Sequence, residues 1–236
     1  TSASPSLPDT VSTNVTFTGI ATLPKGFKAV GNLTVSAGSL NLGGKSVRVT
    51  GNASVVTSGV LLMQTATDSL IVTGSFSVTS GSSNAGGLTN GVLLLGGNFT
   101  QTAGSSVNFP ATLNHKTVLN GTAAQTVNFA NAGSSNFQTL EITNTGGGVS
   151  FISTTAQANG SVAVLGTTNV TGAAATMTIG GNLTDASNTR WQVANTTFSG
   201  AAPSLPDTVT TNVNFTGTAT LPKGFKAVGN LTVSAG

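Results

Sequence analysis

The chain has 236 residues, enough for one large all-β domain or two ordinary ones, and only 6% of them are charged, against about 25% in a typical soluble domain. A mean hydropathy of +0.24 argues against a disordered acidic or basic tail. With no cysteine, a disulfide framework, a Cys-ligated zinc and a thiol nucleophile are all excluded.

The net charge of +3 comes from 8 Lys and Arg against 5 Asp and Glu. Lys25, Lys28, Lys45 and Arg48 lie early, Lys116 and Arg190 stand alone, and Lys223 and Lys226 repeat the first pair. Nucleic-acid binding needs clustered cations beside stacking aromatics. Here Tyr is absent and Trp191 is the only Trp, so no nucleic-acid partner is expected. Residues 55–63, the most apolar stretch, are too few to span a bilayer, and no transmembrane segment is expected. The polar start with Pro5 and Pro8 is unlike a signal peptide, so the expectation is a processed or excerpted chain.

In chain order, the predicted strands begin with Leu33-Thr34-Val35, Val47-Arg48-Val49, Leu70-Ile71-Val72 and Phe76-Ser77-Val78. Val92-Leu93-Leu94-Leu95, Val127-Asn128-Phe129, Leu140-Glu141-Ile142-Thr143, Met177-Thr178-Ile179 and Trp191-Gln192-Val193 continue the series. Gly, Asn and Ser clusters punctuate them, and no helical periodicity appears. Abundant Thr and Val favour strands.

A Gly-Asn or Gly-Ser motif precedes many of these strands. It starts at Gly31, Gly51, Gly74, Gly97, Gly160, Gly181 and Gly229. Two intervals are wide, from Gly97 to Gly160 and from Gly181 to Gly229. Counting the first as three periods and the second as two gives nine periods between Gly31 and Gly229, roughly 22 residues each. The irregular Ser204-Leu205-Pro206-Asp207 segment takes one of the skipped positions.

The longer repeat is nearly exact. Residues 3–38 and 201–236 match at 32 of 36 positions, offset by 198. The exchanges are Ser4/Ala202, Ser12/Thr210, Thr16/Asn214 and Ile20/Thr218. The expected organisation is one complete unit over 3–200 and the start of the next over 201–236.

Short strands at this period predict an all-β, right-handed parallel β-solenoid (β-helix) built from tandem 198-residue units. Inward positions are the apolar residues of each strand, Leu33, Phe76, Phe99 and Leu183 among them. The Asn after Gly suits a turn, where its amide pairs with the stacked Asn of the next turn. Tandem sandwiches of about 99 residues also divide 198, but the two halves of the unit do not resemble each other.

Catalytic chemistry has little to work with. Asp9, Asp68, Glu141, Asp185 and Asp207 are dispersed, whereas glycoside hydrolysis needs paired carboxylates. No acidic cluster or Asp-bearing nonapeptide repeat is present to hold Ca²⁺. His115, the sole His, reads as a surface residue on a strand edge. Neither a Gly-x-Ser-x-Gly elbow nor a phosphate loop appears. The expectation is a non-enzyme with no cofactor and no metal.

The densest cationic site is Leu23-Pro24-Lys25-Gly26-Phe27-Lys28 with its copy at Lys223 and Lys226. Lys25, Lys28, Lys223 and Lys226 are candidate contacts for an anionic glycan or lipid surface; the alternative is a polar turn. Thr-x-Thr pairs at Thr16, Thr65 and Thr176 do not recur at every period, as an ice-binding face would need. Sequons at Asn14, Asn32, Asn52, Asn98, Asn182 and Asn230 permit glycosylation without indicating it.

The Gly-Asn turns, with Ala124-Gln125-Thr126-Val127-Asn128-Phe129 and Phe137-Gln138-Thr139-Leu140-Glu141-Ile142-Thr143-Asn144, resemble the repeat regions of large bacterial surface proteins. These are the filamentous-haemagglutinin-like and autotransporter-like β-helical adhesins. The resemblance implies secretion, an extracellular or cell-surface location and a fibrous shape, and it transfers no catalytic residue. The first functional expectation is a structural stalk whose partners are adjacent units or identical chains end to end. The second is a module that binds glycans or cell surfaces; an enzyme or ice-binding protein ranks last.

Overall fold

The computed structural model describes residues 4–102 and 107–234. Every strand pair in it is parallel, and no helix occurs among the described residues. The chain winds as a β-solenoid of about eleven turns, as expected. Each turn places one strand in a twelve-stranded long sheet and most place another in a nine-stranded sheet. A three-stranded sheet of Ala21–Thr22, Ser39–Asn41 and Val60–Leu62 forms a third side near the start.

The long sheet begins at Val15–Phe17 and passes through Leu33–Val35, Ala53–Val55, Phe76–Val78, Phe99–Gln101, Gln125–Phe129 and Val149–Phe151. It continues through Val170–Ile179, Trp191–Phe198, Asn212–Thr216 and Leu231–Ser234, and the twelfth strand, Thr155–Ala158, pairs with the end of Val170–Ile179 off this path. Asn212–Thr216 contains the copy of Val15–Phe17 and lies nine rungs above it. The nine turns expected in each repeat are therefore present.

The turns are unequal. Val15 faces Leu33, whereas the turn from Phe99 to its partner Val127 is about half as long again. Strands keep register because loops at the corners absorb the difference. Most of the short strands alternate: Leu33 and Val35 point inward, and Thr34 points out. Leu33, Phe76, Phe99 and Leu183 are all buried, as predicted. Midway, the core is aromatic: Phe99 contacts Phe76, Phe109, Phe129 and Phe137, with ring centroids 4.9 to 6.1 Å apart.

The Gly-Asn motif proves to mark two different corners. At Gly31, Gly51, Gly74, Gly97 and Gly229 it leads into the long sheet. At Gly160 and Gly181 it leads into the nine-stranded sheet, at Val162–Val164 and Leu183–Asp185. The wide intervals from Gly97 to Gly160 and from Gly181 to Gly229 are therefore not whole turns, and the two errors compensate.

Both corners have the same physical demand. The backbones of successive turns touch there: Gly74 N–H donates to the Gly51 carbonyl at 3.1 Å. A Cβ on Gly74 would collide with that carbonyl and with the Asn52 side chain. The Asn oxygen then accepts the backbone N–H of the next turn, from Asn14 to Asn32, Asn32 to Asn52 and Asn52 to Ser75, each at 2.8 Å. The expected pairing of stacked side-chain amides is replaced here by amide-to-backbone bonds. They satisfy N–H groups that the tight corner leaves outside the strand ladder.

Candidate functional site

Charge is segregated on this scaffold. None of the twelve strands of the long sheet contains a charged residue. The strand-borne charges are Lys28, Arg48, Lys116, Glu141 and Asp185 of the nine-stranded sheet, and Lys226; the remaining charged residues occupy turns.

The four predicted lysines form no single cluster. Lys25 donates to Asp9 at 2.6 Å, and Lys223 repeats the contact with Asp207 at 2.6 Å. The hydrogen bond and the charge of Lys25 hold the Asp9 carboxyl below its usual range. Lys28 stands exposed on Phe27–Ala29, in register between Thr10 and Arg48. Lys226 pairs with Thr208 in the second copy. Arg48 is the neighbour that sequence reading missed. Its only signal is a separation from Lys28 of one turn in this part of the solenoid.

The carboxylates are engaged by backbone or by lysine. Asp68 is buried and accepts the N–H groups of Gly44 and Thr65 at 2.6 and 2.8 Å. Asp185 is also buried and accepts from Ser187, Arg190 and Trp191. Glu141 pairs with Lys116 at 3.0 Å across neighbouring rungs. Among the described residues no group of three His, Asp or Glu gathers to hold a metal ion.

His115, expected at the surface, is instead fully buried, with its ring edge-on to Phe109. Burial lowers its pKa to about 4. The sequence showed a polar, cation-flanked segment; the turn before Lys116–Leu119 rolls this side chain inward while Lys116 faces out.

The uncharged long sheet presents rows of hydroxyls and carboxamides. Thr16, Thr34, Ser54, Ser77, Thr100 and Asn128 are paired rung by rung on its outer side. A second row runs Gln157, Thr178, Thr197, Asn214 and Thr232. Unequal turn lengths hid these rows from any search at a fixed spacing.

On the N-terminal side of these rows the same face opens into a groove of about 520 Å³, lined in part by Thr126, Ser150, Thr167, Asn169 and Thr171. Thr126, Ser150 and Thr171 stack in register on three successive rungs. Behind them two buried amides brace the wall. Gln125 donates to the Leu95 and Gly97 carbonyls and accepts from Gly121 N–H. Asn144 donates to Gln125 and accepts from Gly146, Gly148 and Thr168. Gly147 and Gly148 have φ of 79° and 82°, and a Cβ on Gly148 would strike the Asn169 carbonyl.

No family model matches the chain, and neither a curated protein nor a solved structure matches it. Among the described residues no helix is long and apolar enough to cross a membrane.

Proposed function

We propose that this chain is a length of an extracellular tandem-repeat filament, the stalk of a surface adhesin, and that it works without an active site. One observation supports this above the others. The long sheet runs through the repeat junction, with Trp191–Phe198 pairing to Asn212–Thr216 and that strand to Leu231–Ser234. Phe198 stacks on Phe215, so the core is continuous there as well. A unit that joins its neighbour by the same ladder that holds it together internally adds length without a hinge. Nine turns at a strand spacing of about 4.8 Å advance one unit by roughly 43 Å.

The uncharged face favours a second reading, in which the stalk also contacts a glycan or a cell surface. In both readings the partners are adjacent units, identical chains or a surface, and the location is extracellular.

Electron microscopy of a protein of several units is the test. Thin, unbranched fibres with an axial period near the estimated 43 Å are expected. Beaded particles joined by flexible links would sink the continuous-stalk reading.

A further inference from the structure

We infer that the groove over Thr126, Ser150 and Thr171 is a binding site for a neutral saccharide, one or two sugar units long within the groove itself. It rests on the second, glycan-contact reading and needs none of the stalk's axial continuity.

Size and rigidity come first. At about 520 Å³ the groove falls within the usual range of small-molecule sites. Thr126, Ser150 and Thr171 sit on strands held by ladders on both sides, corner residues Gly147, Gly148 and Asn169 complete the walls, and the amides behind them are fully engaged. The hydroxyls are thus already positioned before any ligand arrives, which lowers the ordering cost of binding.

The lining then selects the chemistry. It contains no ionisable side chain. A charged ligand would lose hydration there with no counter-charge to replace it, and an apolar one would strip water from hydroxyls and leave them unpaired. An extended peptide would need free backbone groups, and those of the strand residues Thr126, Ser150 and Thr171 are spent in the sheet. A saccharide brings many neutral donors and acceptors, together with C–H surface for the threonine methyls. The column continues beyond the groove, to Asn98 below and Gln192 above. A longer chain lying along the solenoid axis would gain contacts at each rung.

The test titrates the full chain with cello- and malto-oligosaccharides of increasing length, and with oligogalacturonate as the acidic counterpart. Saturable binding of a neutral series, tightening with length, is expected. Ser150→Ala with Thr171→Val should weaken it at least tenfold while melting stays unchanged. Thr16→Val with Thr34→Val, on distant rungs of the same face, should leave it intact, as should Lys28→Gln with Arg48→Gln. The inference is overturned if no neutral series binds, if the distant pair weakens binding equally, or if only the acidic oligomer binds and Lys28 and Arg48 carry it.

Discussion

The imidazole of His115 lies inside the solenoid with no hydrogen bond to either ring nitrogen. Desolvation lowers its pKa from 6.5 to about 4. Above pH 6.5 the ring is neutral whether the chain is folded or not. Between 6.5 and about 4 the unfolded chain takes up a proton that the folded chain refuses. Stability from this group is therefore fully present above the upper value and lost as pH falls through the window. A shift of this size is worth about 3 kcal/mol. Urea midpoints measured across the window should fall with acid, and His115→Phe should flatten that fall; an unchanged slope would mean that the ring is hydrated. Phe99 is a second residue with a large expected effect, since it touches four other phenyl rings. Phe99→Ala should cost about 3–5 kcal/mol. Phe99→Asp should unfold the adjoining turns, read as loss of amide protection there, because the carboxylate finds no partner.

At the scale of the element, the corner is the unit that repeats. Gly and Asn carry separate duties: Gly allows backbones to touch, and Asn satisfies the next turn's amide. Asn52→Ala should cost about 1 kcal/mol, with faster hydrogen exchange at the Ser75 amide. Gly74→Ala should cost more, because its Cβ meets a carbonyl that cannot move without breaking the ladder. Equal losses for the two would show that the corner relaxes freely. This motif was legible as a turn, since few residues other than Gly and Asn suit such a site. Which of two corners each copy occupies was not legible, because both make the same demand.

For the whole molecule, the two copies of the repeated segment separate sequence from stacking. Leu33 and Val35 are 2% and 1% exposed beneath the turn that follows them. Their copies Leu231 and Val233, identical in local sequence, are 55% and 70% exposed where no turn covers them in this structure. Leu33→Ala should therefore cost about 2–5 kcal/mol and Leu231→Ala far less, by thermal or denaturant unfolding of the same chain. Comparable losses would mean that the last turn is covered in solution.

Sequence alone determined the fold class. Alternation such as Leu33-Thr34-Val35, turn residues at the corners and a 198-residue repeat leave few alternatives to a stack of turns. The absence of a charge cluster in the long-sheet strands was also present in the sequence, strand by strand. Only the tertiary structure decided which strands share a sheet, and so collected the uncharged ones on one face and placed Lys28 beside Arg48. It alone turned His115 inward and set Thr126, Ser150 and Thr171 in one column. The reason is physical. Apolar alternation fixes which side of a strand is buried, but the lateral position of a strand depends on corner loops whose lengths vary from turn to turn. Register is settled by the packing of each turn on the last, and no fixed period in the sequence records it.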